Sequence, residues 1–392
     1  MPDTSRREIL AGLGSLGVAA KLATFTPPIP FHGGSSNPEQ NGATQPPHIM
    51  HGVDPGDDRA ELMRLLGTMP SRPAPRFTLL ETVRLPAGTR YKIEFLAEPT
   101  DSLLHTPPDL IRAYLFVPEH RDGERLSAVL AIHQDGPQSN IGKSEVAGLA
   151  GDKNLFYGLE LFERGHVVLC PDRFPHAERR WVTPNDITSI DPDRDEQLLN
   201  HRSGQLLLRG RNFIGKDVYD FMVAMDVLGS LDYVDSKRIG AIGHSAGGDS
   251  LVYFMFADPR VCAGVSSCGF FDMVRFFDQN APKRRLAAIA MPGLAELGTS
   301  RGYLAGIAPR PMLLTRGMWE WGNSGDEARF SKEHVQETRD LVAHAQKSYD
   351  RLGATSNLRA IYFDENGGNH DFPPNVRRNA YDWLDRQLAA KV

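Results

Sequence analysis

The chain has 392 residues, and its 44 lysines and arginines against 49 aspartates and glutamates give a formal net charge of −5 at pH 7. This near balance argues against a basic nucleic-acid-binding surface and gives no reason to expect an acidic membrane as a partner. Three cysteines are too few for a disulfide framework. All three lie in or beside apolar runs, as buried thiols do, and a Cys262–Cys268 bridge is the less favoured alternative.

The first residues resemble an export signal. Arg6 and Arg7 precede a short, glycine-rich apolar segment at 11–20, an arrangement similar to the twin-arginine signals of bacteria. The segment is too short for a transmembrane helix. We therefore predict a signal peptide at 1–24 and a periplasmic or secreted protein with no membrane insertion. The alternative is an irregular N-terminal helix.

A linker is expected to separate this segment from the folded domain. Residues 25–56 are dense in Pro, Gly, Ser and Asn, which cannot bury enough apolar surface to order themselves. Residues 57–66 then read as a capped helix with leucines on one face. The folded domain is therefore predicted to span 57–392.

The pattern of strands predicts the fold class. Segments 89–96 and 111–118 alternate polar with apolar residues, whereas 128–132 is continuously apolar, as a buried parallel strand is. Further predicted strands lie at 167–170, 238–242, 261–265, 311–315 and 358–363, with helices at 154–164, 217–231 and 331–351 among them. These β-α units predict an α/β fold: a mostly parallel, doubly wound sheet with helices on both faces and antiparallel strands at its N-terminal side. Two long connections, about 173–213 and 271–310, are expected to shape a substrate pocket.

A Gly-x-Ser-x-Gly motif follows the strand at 238–242. It reads Gly243-His244-Ser245-Ala246-Gly247, the pattern of a nucleophile elbow, in which a sharp turn between strand and helix exposes a serine. A side chain at either glycine would crowd that turn. Ser245 is the predicted nucleophile, and an ordinary glycine-rich loop is the alternative.

A serine nucleophile needs a histidine base and an acid that orients it. In α/β-hydrolases these follow the serine in the order acid, then histidine. His370 lies in a polar loop just after the last predicted strand, so it is the predicted base. His334 and His344 fall within the helix at 331–351 and are interpreted as solvated helix positions.

Two carboxylates compete for the role of the acid. Glu320 and Asp326 both follow the strand at 311–315. Glu320 is preferred because it lies closer to the strand end, but both remain candidates. Trp319 and Trp321 beside it could form an apolar or sugar-stacking wall, although packing accounts for them equally well.

Acyl transfer also requires backbone N–H donors for the developing oxyanion. We expect one from Ala246, directly after the nucleophile, and the other from Gln134 or Asp135, in the loop after the strand at 128–132. His133 has no second ligand at metal-binding spacing. No metal and no organic cofactor are predicted.

From about residue 64 to its C-terminus the chain resembles the bacterial α/β-hydrolases grouped with acetyl xylan esterases and dienelactone hydrolases. The resemblance is carried by residues 148–152, 163–172, 177–180, 238–248, 308–311 and 369–373. It implies a triad of Ser245, Glu320 or Asp326, and His370. The chain departs from that group in having serine where dienelactone hydrolases have cysteine, in the pair His133-Gln134 where His-Gly is more frequent, and in a glutamate acid if Glu320 serves.

Together these patterns predict an exported serine carboxylesterase that works through an acyl-enzyme on small-molecule or carbohydrate esters. A prolyl oligopeptidase-like serine peptidase and a catalytically inactive binding protein are the alternatives. Neither the natural substrate nor the oligomeric state follows from the sequence.

Overall fold

A computed structural model describes residues 57–135, 140–180, 192–277 and 290–390. They belong to one compact unit, Met50–Val392. The predicted signal peptide at 1–24 and linker at 25–56 lie outside the described residues.

The described residues contain a nine-stranded sheet. Its strands are β1 Phe77–Leu85, β2 Gly88–Glu98, β3 Asp109–Pro118, β4 Leu126–Ile132, β5 Val167–Pro171, β6 Val234–His244, β7 Ala263–Ser267, β8 Met312–Gly317 and β9 Leu358–Phe363. They lie in the order β1-β2-β3-β5-β4-β6-β7-β8-β9. Antiparallel pairing joins β1, β2, β3 and β5, and parallel pairing joins every neighbouring pair from β5 to β9.

Helices cover both faces of the sheet. Those described are α1 Arg59–Leu65, α2 Lys143–Val146, α3 Tyr157–Glu163, α4 Pro192–Leu208, α5 Phe213–Gly229, α6 Ala246–Ala257, α7 Met273–Phe276, α8 Arg301–Ala305, α9 Gly325–Arg351 and α10 Pro374–Leu388. One apolar cluster packs α5 and α6 against one face, and a second packs α3 and α10 against the other. The predicted α/β-hydrolase architecture, with antiparallel strands at its N-terminal side, is confirmed.

Three differences from the sequence prediction bear on the later argument. Strand β1 was not predicted, and the connection at 173–213 contains the helix α4. Helix α9 also begins at Gly325, six residues before the predicted start at 331, so that Asp326 lies in its first turn. None of the helices within the described ranges is both long and apolar enough to cross a membrane.

The parallel half of the sheet determines where a site can form. Strands β6, β7, β8 and β9 are consecutive parallel neighbours, so their carboxyl ends meet at one edge. The loops that follow His244, Ser267, Gly317 and Phe363 therefore lie side by side. Open parallel sheets bind ligands at this edge.

The considered Cys262–Cys268 bridge does not form, and neither cysteine is part of a disulfide. They flank β7 on opposite ends. At about 3.3 Å per residue their Cα atoms are roughly 20 Å apart, whereas a disulfide requires less than about 7 Å.

Candidate active site

Ser245 lies at the turn between β6 and α6. Its backbone has φ 53° and ψ −126°, a strained conformation for a residue with a side chain. The turn is held by two hydrogen bonds: the Ser245 N–H donates to Ser267 O at 2.8 Å, and the Asp249 N–H donates to Ser245 O at 2.9 Å. A Cβ on Gly247 would lie 2.5 Å from the carbonyl oxygens of Ile132 and His133. The close approach of the elbow to the loop after β4 therefore requires glycine there.

The structure brings His370 against Ser245. Its Nε2 lies 2.7 Å from Ser245 Oγ, and its Nδ1 lies 3.0 Å from Glu320 Oε2. The loop after β9 is tied to the loop after β8, because the Trp319 N–H donates to Gly368 O at 2.8 Å. This contact between loops fixes the histidine and the glutamate relative to each other.

Glu320 is a buried, ionised carboxylate, with its side chain 4% exposed. Its Oε1 accepts from the Gly317 N–H at 2.9 Å, and its Oε2 accepts from Arg316 Nη1 at 3.0 Å. Burial alone would raise the pKa of Glu320, but the Arg316 charge and the hydrogen bond from His370 hold that pKa well below its ordinary value. Glu320 therefore carries its charge at neutral pH.

Arg316 was not identified from the sequence as a site residue. It lies on β8 and is buried, and besides Glu320 its guanidinium donates to Phe270 O at 2.5 Å and to Thr338 Oγ1 at 3.0 Å. Arginine is rarely buried unless it is paired with a carboxylate. Its position at the end of a predicted buried strand was therefore a signal in the sequence that a carboxylate lies nearby.

Asp326, the competing acid, does not approach His370. Its side chain is 89% exposed, and its nearest described cation is Arg329 at 3.7 Å. The first turn of α9 directs it to solvent. Of the two candidates, Glu320 is the one in hydrogen-bond contact with the histidine.

Of the three residues predicted to supply oxyanion donors, Gln134 and Asp135 lie in the loop after β4, and Ala246 begins α6. His133 Nε2 accepts from the Arg173 N–H at 2.8 Å, and His133 Nδ1 lies 2.5 Å from Gln134 O. Since a carbonyl only accepts, Nδ1 carries the proton and the ring is neutral. Burial lowers the pKa of His133 well below its ordinary value, which agrees with this state. The Asp135 carboxylate lies 2.8 Å from Arg173 Nη1.

A cavity of about 220 Å³ opens at Ser245. Three neighbouring aromatic side chains, two histidines and a thiol line the cavity. The lining residues are Ser245, Cys268, Gly269, Phe271, Phe276, Glu320, Trp321, His334 and His370. Trp321 therefore lines the cavity, whereas Trp319 lies 5.8 Å from the Lys332 ammonium.

The interpretation of His334 and His344 as solvated helix positions is wrong. His334 is 12% exposed and faces the cavity, with Nε2 3.9 Å from Glu320 Oε2 and Nδ1 3.6 Å from Glu337 Oε2. His344 is 15% exposed and lies 2.8 Å from Asp57 Oδ1. Both histidines are therefore mostly covered and paired with carboxylates, although the fully buried face of α9 is formed by other residues, among them Val335, Leu341 and Ala345.

Two clusters within the described residues bring three potential metal ligands within 4.8 Å of one another. The first is Cys268, Glu320 and His370, where the Arg316 guanidinium opposes a second cation and burial raises the pKa of the Cys268 thiol well above its ordinary value. The second is Glu98, Asp109 and Asp220, which surround the Lys216 ammonium at 2.6 to 2.7 Å. Neither set fits a resident metal.

Comparisons with known proteins place this site in context. Residues 208–287, which include the elbow, match the Prolyl oligopeptidase family. The Bacillus subtilis (strain 168) protein named "Putative hydrolase YtaP" is 28% identical over 256 residues, which cover 65% of this chain and 78% of that protein.

Two solved structures share the architecture. A Bacteroides fragilis NCTC 9343 protein described as a "putative acetyl xylan esterase" has a TM-score of 0.58 and 18% identity, covering 83% of this chain and 80% of its own. A glucuronoyl esterase from Solibacter usitatus has a TM-score of 0.58 and 14% identity, covering 84% and 92%. From its sheet order, its elbow and these structural likenesses, the chain is a member of the α/β-hydrolase fold.

Proposed function

We propose that the protein is a serine hydrolase of carboxylic esters. The observation that carries the proposal is the continuous hydrogen-bonded chain from Ser245 Oγ through His370 to Glu320, with distances of 2.7 and 3.0 Å. Ser245 Oγ attacks the ester carbonyl while His370 Nε2 takes its proton, and Glu320 stabilises the imidazolium that forms. His370 then returns the proton to the leaving alcohol, and water releases the acid from the acyl-enzyme.

The oxyanion of the tetrahedral intermediate is stabilised by the N–H of Ala246 and that of Gln134 or Asp135. These residues begin α6 and follow β4, and the contact of Gly247 with the β4 loop carbonyls supports their proximity. Backbone donors fixed before the reaction stabilise charge without reorganising.

The substrate we favour is an acylated carbohydrate or another small ester. An aromatic wall at Phe271, Phe276 and Trp321, with His334 beside it, suits a ring that presents both apolar faces and hydroxyl groups. The names of the structural neighbours, an acetyl xylan esterase and a glucuronoyl esterase, support the same class.

The test compares wild type with Ser245→Ala on p-nitrophenyl acetate. We expect wild type to hydrolyse it and Ser245→Ala to lose nearly all activity, whereas Ser230→Ala, which removes a hydroxyl at the end of α5, stays at the wild-type rate. Activity that survives in Ser245→Ala would sink the mechanism. Acetylated sugars and methyl glucuronate esters then identify the alcohol and acyl groups.

A serine peptidase is the second candidate, because the elbow lies inside the match to the Prolyl oligopeptidase family. Peptide p-nitroanilides separate the two. We expect ester hydrolysis to exceed amide hydrolysis by orders of magnitude, and the reverse order would favour the peptidase.

We also propose export through residues 1–24. The twin arginines Arg6 and Arg7 support it. In a bacterial host, replacing both with lysine is expected to leave the protein in the cytoplasm, and unchanged export would refute the proposal.

A further inference from the structure

Arg173 joins the candidate active site to the core. It follows β5, and its side chain is 1% exposed. On the core side, its Nε and Nη2 donate to Asp217 Oδ2 at 3.0 and 2.6 Å. On the site side, its Nη1 donates to Asp135 Oδ1 at 2.8 Å and to His133 O at 3.5 Å. One guanidinium therefore bridges a buried helix and the loop at 133–135.

Asp217, the core partner of Arg173, also contacts the helix that begins at the elbow. Asp217 lies on α5 and is fully buried, and its Oδ2 accepts from Ser250 Oγ on α6 at 2.8 Å. Burial alone would lower the pKa of Arg173, but Asp217 and Asp135 raise it. The guanidinium is thus a permanent cation held between α5, α6 and the loop after β4.

The main chain of Arg173 holds the same loop. Its N–H donates to His133 Nε2, which leaves the proton of His133 on Nδ1, directed at Gln134 O. In a trans peptide the carbonyl of one residue and the N–H of the next point in opposite directions. Fixing the carbonyl of Gln134 therefore fixes the direction of the Asp135 N–H.

We infer that Arg173 is a positioning residue for the oxyanion hole, an inference that rests on the proposed function. It does not touch the substrate. Through its guanidinium and its own N–H it holds the loop at 133–135, so that a backbone N–H there is aimed before the intermediate forms. Donors that must first be ordered stabilise the oxyanion less.

The test is Arg173→Lys against Arg179→Lys. Lysine keeps the charge, but it lacks the planar fork in which Nε and Nη2 bond Asp217 while Nη1 bonds Asp135 on the other side. Arg179 is a matched control because its side chain is also 1% exposed and paired with two carboxylates, Asp109 and Asp220, and none of these three residues lines the cavity at Ser245. The measurements are kcat, KM, melting temperature and the Ki of a trifluoromethyl ketone, which forms a tetrahedral oxyanion on the serine.

For Arg173→Lys we expect kcat to fall about 100-fold with KM within about threefold, and Ki to rise in parallel, as when an oxyanion donor is lost. Arg179→Lys is expected to lower the melting temperature while kcat and Ki stay near wild type. If the two variants have the same kcat and Ki, the inference is overturned. Asp135→Asn removes the carboxylate charge that faces Arg173 and His176 and leaves the core contacts of Arg173 in place. It decides the matter if Arg173→Lys does not fold: we expect about a tenfold loss of kcat, and an unchanged kcat overturns the inference. A wild-type protein that hydrolyses no ester would instead refute the proposed function and this inference with it.

Discussion

Replacing Glu320 with glutamine is the most informative single change in the proposed triad. The carboxylate accepts three hydrogen bonds, from Gly317 N–H, Arg316 and His370. Glutamine has one oxygen and one NH₂ group, so at least one donor must face another donor. If the NH₂ group turns to His370, it can bond only an unprotonated Nδ1. The proton then sits on Nε2, facing Ser245 Oγ, where a base is needed.

The magnitude follows from those contacts. The wrong tautomer and the loss of the charge that stabilises the imidazolium are expected to lower kcat about 10³- to 10⁴-fold, or about 4 to 5.5 kcal/mol. The change also leaves the buried Arg316 without its anion, at a cost of about 3 to 5 kcal/mol in unfolding free energy. A low rate is therefore meaningful only for protein shown to be folded.

The assay is kcat on p-nitrophenyl acetate below the melting temperature of the variant, with Asp326→Asn as the control. Asp326 is 89% exposed, so its change is expected to alter unfolding free energy by less than about 0.5 kcal/mol and to leave kcat unchanged. Folded Glu320→Gln that keeps more than about a tenth of the wild-type kcat would refute the role of Glu320.

Three further predictions concern packing, specificity and pH. Gly247→Ala places a Cβ 2.5 Å from two carbonyl oxygens and is expected to destabilise the fold by at least about 3 kcal/mol. The control Gly229→Ala, where the new Cβ meets open space at the end of α5, is expected to raise the unfolding free energy by up to about 1 kcal/mol. Equal changes in the unfolding free energies of the two variants, measured by chemical denaturation, would contradict the packing argument. His334→Ala is expected to raise KM for a sugar ester more than for p-nitrophenyl acetate, and equal changes in the two KM values would count against a substrate contact. Burial alone would raise the pKa of Glu98, but Lys216 and Arg211 lower it from 4.5 to about 2. A carboxylate whose pKa is lower in the folded state than in the unfolded state stabilises the fold at pH values above its unfolded-state pKa. That stabilisation is lost as the pH falls toward the folded-state pKa. The gap in unfolding free energy between wild type and Glu98→Gln should therefore hold steady above about pH 5 and shrink from there toward about pH 2; a gap that changes between neutral pH and about pH 5 would contradict the linkage.

Most of the sheet follows from the sequence because its central strands are buried. Strand β4, for example, is apolar except for Ser127 and has almost no exposed surface. Strand β1 escapes the same reasoning because it is an edge strand: Phe77 and Leu79 are 39% and 54% exposed, and a bulge interrupts its register. Helix α4 escapes because its 17 residues are largely polar.

In the candidate site, too, some residues can be predicted from a local sequence pattern and others depend on contacts between distant segments. The elbow is a local motif, so its residues identify it. The choice between Glu320 and Asp326 depends on the Trp319 to Gly368 hydrogen bond between two loops, which no local pattern reports. The apolar positions of α9, such as Val335, Leu341 and Ala345, indicate its inward face. His334 lies at the border of that face, where a histidine can turn to solvent or to the cavity, and it was assigned to solvent.

The backbone of Ser245 sets stability and activity against each other. A φ of 53° and ψ of −126° costs a residue with a side chain about 1 to 3 kcal/mol, and glycine would adopt the same turn at lower cost. A Ser245→Gly chain is therefore expected to be inert and yet to melt above wild type. Selection for thermal resistance alone, as in a library screened by heat, would tend to erase the nucleophile, so such a screen of this protein must be coupled to turnover.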